Sequence, residues 1–189
     1  MDFRIFKQLP RLIYGLGSIN RLPELLPDDI NKKTVMIYDS AVEQVVTPQF
    51  SNSEKIILIP YNSEKSEPYT SEVAEIIEKY DDIWPDTKAI VGVGGGSTMD
   101  MAKGLSVALA NGLNIDQLQG WDIPTKPGIY KIGIPTIFGS GSEASRTAVF
   151  HNGVKKQGVN SDYSMFDSII IDPSLSATVP LEQKIYTAM

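Results

Sequence analysis

Residues 89–104 read Ala-Ile-Val-Gly-Val-Gly-Gly-Gly-Ser-Thr-Met-Asp-Met-Ala-Lys-Gly. The apolar run at 90–93 predicts a buried strand, and the consecutive glycines Gly94, Gly95 and Gly96 follow it directly. Residues that suit a helix start come next, so the stretch predicts a strand, a turn and a helix N-terminus. Because glycine has no Cβ, a ligand can approach the backbone of this turn closely.

The predicted helix start is a candidate anion site. Ser97 is expected to be the N-cap, and Asp100, three residues later, is expected to support the N–H groups of the first turn. Such N–H groups and the positive end of the helix dipole suit a phosphate. The alternative is a purely structural βα turn, because the glycine spacing matches neither a P-loop nor the dinucleotide fingerprint. Both hypotheses stay open on this stretch alone.

Composition excludes several classes of protein. The 189 residues are enough for one domain, and 42% hydrophobic and 21% charged residues are typical of a globular chain. The net charge of −6 argues against nucleic acid and anionic membranes as partners. With no cysteine, the chain has no disulfide, thiolate zinc site or cysteine nucleophile. No signal-peptide pattern or membrane-length apolar run is present, so a cytoplasmic location is expected.

Strand and helix patterns alternate along the chain. Apolar runs predict strands at 34–38, 56–59, 90–93 and 168–171, and helical spacing predicts helices at 70–80 and 97–109. This alternation predicts an α/β fold with a doubly wound parallel sheet covered on both faces. Ligands of such sheets bind at the carboxyl ends of the strands. Asp39, which ends one predicted strand, is therefore expected to share a crevice with the glycine turn.

A second glycine-rich stretch covers residues 131–145. It predicts a strand, then glycines beside the hydroxyls of Thr136, Ser140 and Ser142, then a helix start. These hydroxyls suit hydrogen bonds to a polar ligand. Other patterns predict a helix at 114–121, a hairpin at 147–159 that turns at Asn152-Gly153, and the first turns of a helix at 181–189.

The motifs, taken in order, resemble the iron-dependent (group III) alcohol dehydrogenase family. Members carry Gly-Gly-Gly-Ser-x-x-Asp-x-Ala-Lys, which stands at 94–103, and Pro-Thr-Thr-x-Gly-Thr-Gly-Ser-Glu, which reads Pro-Thr-Ile-Phe-Gly-Ser-Gly-Ser-Glu at 135–143. Tyr-Gly-x-Gly at 14–17 and Asp-Pro at 172–173 complete the series. The resemblance implies a dehydroquinate-synthase-like, NAD-binding α/β domain over residues 1–189.

The resemblance also assigns roles to residues. The equivalents of 94–97 hold the cofactor pyrophosphate, and the hydroxyls of 136, 140 and 142 face the cofactor from the other wall. Asp39 corresponds to a carboxylate that binds the adenosine ribose; it would repel a 2′-phosphate and so favours NAD over NADP. Lys156 aligns with a cofactor-contacting lysine, although a solvated hairpin lysine fits equally well. Glu67 and the pair 137–138 depart from the family pattern.

The resemblance implies that the metal binds outside the cofactor-binding domain. The family's ligands, one Asp and usually three His, lie in a following helical domain, and family spacing places the first immediately after Met189. The chain is therefore expected to stop short of the metal site, to contain no metal ligands or catalytic residues, and to be inactive alone. A divalent metal, Fe or Zn, is expected only in the complete enzyme. The single histidine, His151, falls in the predicted hairpin.

The implied reaction is oxidation of a primary or secondary alcohol by NAD. Residues 161–167 and 172–189 are most similar to the branch that acts on 3-deoxy-octulosonate sugar acids, which favours a sugar-acid substrate. The expected partners are this small molecule and a second copy of the chain in a homodimer. Two alternatives stay open: a dehydroquinate-synthase-like lyase that uses NAD, and a non-enzymatic nucleotide-binding module.

Overall fold

The computed structural model describes residues 10–63, 67–177 and 179. In these ranges the strands are β1 Leu12–Tyr14, β2 Lys33–Asp39, β3 Ile56–Tyr61, β4 Thr87–Gly94, β5 Gly120–Trp121, β6 Tyr130–Pro135, β7 Thr147–His151, β8 Lys156–Asn160 and β9 Ser168–Ile171. The α-helices are α1 Glu43–Phe50, α2 Thr70–Lys79, α3 Gly96–Asn111 and α4 Ile115–Leu118. Short 3-10 helices span Ser18–Leu25, Ser40–Val42, Trp84–Asp86, Asp162–Ser164 and Pro173–Ser176.

Six strands form one parallel sheet in the order β1-β9-β6-β4-β2-β3. This confirms the predicted α/β fold with a doubly wound parallel sheet. β2 and β4 are neighbours, with Tyr38 opposite Val93. Since parallel strands end at the same edge of a sheet, the end of β2 and the glycine turn after β4 lie side by side.

The sheet separates two apolar cores. Successive residues of a strand point to opposite faces, so Val35 and Ile37 of β2 pack in one core, which α3 covers with residues such as Leu105. Met36 and Tyr38 pack in the other core, which α1 and the 3-10 helix at 18–25 cover. The strands therefore read as continuous apolar runs because both of their faces are buried.

A smaller sheet lies beside the main one, in the order β5-β8-β7. β7 and β8 form the predicted antiparallel hairpin, and Gly153 at its turn has a φ of 88°. α3 lies directly against β7: a Cβ added to Gly104 would be 2.4 Å from Cζ of Phe150. This close packing fixes the hairpin against the helix that follows the glycine turn.

Two predicted helices differ in the structure. The helix predicted at 114–121 ends at Leu118, because Gln119 is extended and Gly120 has a φ of 134° as the chain enters β5. The helix start predicted near residue 143 is a series of turns, since Gly139 and Gly141 have φ of 121° and 63°, outside the α-helical region. The helix predicted at 181–189 lies outside the described residues. Among the helices that are described, none combines the length and apolar character needed to cross a bilayer.

Candidate functional site

The helix after the glycine turn begins one residue earlier than predicted. Gly95 is the N-cap, with φ −81° and ψ −169° and no side-chain cap hydrogen bond. The prediction that Ser97 is the N-cap is wrong, because the N–H of Met99 donates to Gly95 O at 3.0 Å and so places Ser97 inside the first turn. No carboxylate lies in that turn. The first turn therefore has no negative side chain that would repel an anion from this helix start.

The three glycines of the turn have different surroundings. A Cβ on Gly94 would lie 2.5 Å from Oγ1 of Thr98, so this glycine is required for packing, as the structural-turn hypothesis proposed. A Cβ on Gly96 would lie 3.3 Å from Ser140, and one on Gly95 would have Ile137 as its nearest neighbour, at 3.6 Å. A Cβ on Gly95 would therefore make only an ordinary van der Waals contact, so packing does not require a glycine there as it does at Gly94.

Asp39 lies beside this turn. A Cβ on Gly94 would be 2.9 Å from Cβ of Asp39, so the two residues are neighbours at this edge of the sheet; a ligand crevice shared by them stays a prediction. Oδ1 of Asp39 accepts the N–H of Ala41 at 2.9 Å, and Oδ2 accepts the hydroxyl of Ser63. The carboxylate thus caps the 3-10 helix that follows β2 and stays at the sheet edge.

A cleft of about 360 Å³ opens beside the start of α3. Its walls come from the start of α3, the loop at 139–146 (hereafter the serine loop) and β7; they are Glu67, Gly96, Ser97, Asp100, Ser140, Ser142, Ser145, Thr147 and Val149. Ser140 and Ser142 thus lie in the cleft wall with Gly96, as expected for an opposite wall. Thr136 is buried outside this set, and its N–H donates to Gly94 O at 3.0 Å.

Asp100 connects the walls of the cleft. One carboxylate oxygen accepts the hydroxyl of Ser142, and the other accepts the N–H of Val149 at 3.0 Å. The prediction that Asp100 supports the first-turn N–H groups is therefore wrong, because both oxygens are bound to later segments. Burial raises the pKa of Asp100, while Lys103 and these two hydrogen bonds oppose the rise. Since both oxygens accept hydrogen bonds, the site fits the ionised carboxylate.

Lys103 ends the first glycine-rich motif, and the resemblance assigns it no role. Its side chain is fully buried, and Nζ donates to the carbonyls of Thr147 at 2.8 Å and Ser145 at 3.1 Å and to Oγ of Ser142 at 3.3 Å. Burial lowers the pKa of Lys103 to about 8, although Asp100 and Glu143 act to raise it. In the sequence, the position of this lysine within the apolar stretch of α3 indicates a buried cation.

Lys156 forms an ion pair with Glu67, which lines the cleft. The Lys156 side chain is 57% exposed, so the pair lies at the solvent side of the cleft. This geometry brings Lys156 to the cleft rim. A direct contact between Lys156 and a cofactor stays a prediction.

Asp172 was recognised only as part of a motif. Its buried carboxylate accepts the N–H groups of Gly17 and Ile19, both at 3.1 Å, and the N–H and hydroxyl of Ser174 at 3.0 and 2.6 Å. Burial raises its pKa, but the hydrogen bonds from Ser174, Ile19 and Gly17 outweigh burial and lower the pKa overall. Asp172 therefore fixes the loop after β1 to the end of β9.

Over residues 10–63, 67–177 and 179, no group of three or more His, Cys, Asp or Glu side chains could hold a metal ion. His151 instead stabilises its hairpin: Nδ1 accepts the N–H of Gly153 at 2.9 Å, and the ring lies 4.9 Å from that of Tyr69.

Known proteins are similar to this chain in sequence and in fold. The family model for iron-containing alcohol dehydrogenase matches residues 10–173. Sulfoacetaldehyde reductase of Bilophila wadsworthia is 28% identical over 90% of this chain and 45% of its own, and NAD-dependent methanol dehydrogenase of Bacillus methanolicus is 26% identical over 95% and 48%. The crystal structure of NADH-dependent butanol dehydrogenase A from Thermotoga maritima superposes with a TM-score of 0.82 at 27% identity, covering 100% of this chain and 48% of that one.

The chain thus spans about half the length of the relatives it matches. The match covers both glycine-rich stretches, the hairpin and the Asp-Pro pair, which are the motifs that carried the resemblance. The chain therefore belongs to the iron-containing alcohol dehydrogenase family.

Proposed function

We propose that this chain is the NAD-binding α/β domain of an alcohol dehydrogenase whose complete form uses a divalent metal. The observation that carries the proposal is the cleft of about 360 Å³ that Gly96 and Ser97 line at the start of α3, where the first turn has no acidic side chain and Asp39 lies beside Gly94. The N–H groups of a helix start suit a diphosphate. Two relatives, from Bacillus methanolicus and Thermotoga maritima, bear names that specify NAD or NADH dependence, which supports the choice of cofactor.

The residues present fit a dinucleotide. The diphosphate would lie against the backbone of Gly95, Gly96 and Ser97, and the Asp39 carboxylate would accept the hydroxyls of the adenosine ribose. The hydroxyls of Ser140 and Ser142 would contact the cofactor from the serine loop. Thr136 would support this wall through its backbone bond to the turn, and Lys156 would contact the cofactor from the rim.

When bound, NAD would supply the hydride acceptor for the alcohol, and a divalent metal would supply the positive charge that polarises the alcohol oxygen. This chain's own contribution is to bind and orient the dinucleotide and to discriminate against a 2′-phosphate through Asp39. The metal, Fe or Zn, would be held by residues other than those described. We propose a small alcohol or aldehyde as the substrate class and a homodimer as the assembly; a sugar acid as the substrate stays a prediction from the sequence.

Calorimetric titration of the chain with NAD and with NADP tests this proposal. We expect NAD to bind at least about tenfold more tightly than NADP, because an Asp39 carboxylate repels the 2′-phosphate. Asp39→Ser keeps an oxygen for the N–H of Ala41 and should abolish most of this preference. Asp29→Ser, which removes the same charge from an exposed loop, should leave the preference unchanged. Absence of heat at millimolar NAD, or an unaltered preference in Asp39→Ser, would contradict the proposal.

A further inference from the structure

The buried amine of Lys103 has no place in the proposed cofactor contacts, because its side chain does not line the cleft. Its three nearest acceptors nevertheless all belong to the segment that forms the opposite wall. They are the carbonyl of Thr147 at 2.8 Å, the carbonyl of Ser145 at 3.1 Å and the hydroxyl of Ser142 at 3.3 Å. Oγ of Ser145 is a fourth acceptor at 3.4 Å, so the three N–H donors of the ammonium group all have acceptors within this segment.

A charged group at this position is costly. The Lys103 side chain is fully buried, and its Nζ lies 5.5 Å from the centre of the Phe166 ring. An unbranched apolar side chain would fill the same space without the cost of taking an ammonium out of water. Packing therefore does not explain why a lysine occupies this position. Its hydrogen bonds to the serine loop and to the first residue of β7 explain it.

Lys103 and Asp100 hold the same segment from one turn of α3. Asp100 receives the Ser142 hydroxyl and the N–H of Val149, while Lys103 donates to the backbone between these two positions. Nζ of Lys103 is 3.9 Å from Oδ1 of Asp100, so the two charges also compensate each other. The serine loop is thus attached to α3 at several points directly beneath the cleft.

From this geometry we infer that Lys103 is a positioning residue: its hydrogen bonds hold the serine loop at the separation from the glycine turn that creates the cofactor cleft. The identification of the cleft as a cofactor site rests on the proposed function. The position of the serine loop does not depend on that proposal. Loss of the amine releases the carbonyls of Ser145 and Thr147 and lets Ser140 and Ser142 move away from Gly96.

The protonation of Lys103 makes this positioning role measurable as a pH dependence. The charged groups that act on Lys103 are Asp100 on its own helix, Glu143 from the serine loop and Lys131 from β6. Burial is the largest influence and lowers the pKa of Lys103 to about 8, with Lys131 acting in the same direction. A loop opening that brings water to Lys103 returns its pKa toward about 10.4 and so takes up a proton. Above pH 8 this opening therefore becomes less favourable, by up to about tenfold per pH unit.

Hydrogen exchange of the 189-residue chain, read by mass spectrometry on peptides covering 139–147, tests the inference. At pH 7, Lys103→Met should raise exchange in these peptides on the order of tenfold or more, with β4 peptides unchanged. Lys131→Met is the matched control, because it removes an equally buried lysine that pairs with Asp167 instead. It should leave exchange at 139–147 within about twofold of wild type.

The wild-type pH profile requires no variant and decides the question even if Lys103→Met does not fold. After correction for intrinsic exchange, protection at 139–147 should rise between pH 8 and 9.5. In Lys131→Met this rise should begin at higher pH, because a like charge near Lys103 has been removed. A flat wild-type profile, or equal loop exchange in the two variants, would overturn the inference.

Titration with NAD adds a separate measurement. Lys103→Met should weaken NAD binding at least about tenfold, while Lys131→Met retains wild-type affinity. If wild type binds no NAD, the proposed function fails, yet the exchange data still decide whether Lys103 positions the loop. If NAD binds and Lys103→Met has normal exchange and affinity, only the positioning role is refuted.

Discussion

Alanine substitutions at Gly94 and Gly95 should separate packing from ligand binding in the glycine turn. A Cβ on Gly94 would lie 2.5 Å from Oγ1 and 2.8 Å from Cβ of Thr98, and 2.9 Å from Cβ of Asp39. Such distances force the start of α3 and the end of β2 apart. Overpacking of this kind costs about 1–3 kcal/mol, so Gly94→Ala should lower the free energy of unfolding by that amount.

Gly95→Ala should behave differently. Its Cβ would make an ordinary contact, 3.6 Å from Cδ1 of Ile137, and the φ of −81° is allowed for alanine. The gain from a less flexible unfolded chain, about 0.4–1 kcal/mol, is offset by the poorer N-cap preference of alanine. Stability should therefore stay close to that of wild type, while the added methyl group occupies the space proposed for the diphosphate.

Urea unfolding, followed by the fluorescence of the buried Trp84, measures the free energy of unfolding, and calorimetric titration measures the affinity for NAD. We expect Gly95→Ala to keep the wild-type midpoint and to lose at least about 1.4 kcal/mol of NAD binding, a factor of ten. Wild-type NAD affinity in Gly95→Ala would refute the position assigned to the diphosphate. Wild-type stability in Gly94→Ala would refute the packing argument.

Three further changes test the supporting structure. Asp172→Asn should lower the free energy of unfolding by about 1–3 kcal/mol in urea, because one carboxylate oxygen that accepts a backbone N–H is replaced by a donor. Since the pKa of Asp172 is lowered in the folded state, its stabilisation is complete above its ordinary pKa and is lost as the pH falls through the folded value; acid titration of Asp172→Asn should lack this loss. Lys103 has the same sign of linkage at higher pH: with a folded pKa of about 8, below its unfolded value, it should make wild type more stable by roughly 1–2 kcal/mol between pH 8 and 9.5, and urea unfolding of Lys103→Met should not show the increase. Gly104→Ala should cost about 1–3 kcal/mol in the same assay, because its Cβ would lie 2.4 Å from the ring of Phe150.

The main sheet could be predicted because its signals are local. Apolar runs bounded by turns identify strands that are buried on both faces, and the rule that parallel strands end at one edge then places Asp39 beside Gly94. The hairpin at 152–153 was likewise determined by its two turn residues. These predictions needed no knowledge of which distant side chains come together.

The details of the helix start could not be predicted because distant contacts determine them. Ser97 is a good N-cap residue by type, but α3 begins at Gly96, whose backbone packs against Ser140. Asp100 has the spacing of a first-turn carboxylate, yet its partners are Ser142 and Val149, 42 and 49 residues away in sequence. Lys103 donates mainly to backbone carbonyls, which leave no mark on the sequence.

The strand order has a consequence for synthesis on the ribosome. Leu12 of β1 pairs with Ile169 of β9, and β9 is the strand that joins β1 to the rest of the sheet. At about 5–20 residues per second, translation delivers that partner roughly 8–30 s after β1 has been made. β1 must therefore wait, with its backbone bonded to water, while the interior strands assemble; it joins the sheet as one of the last steps of folding.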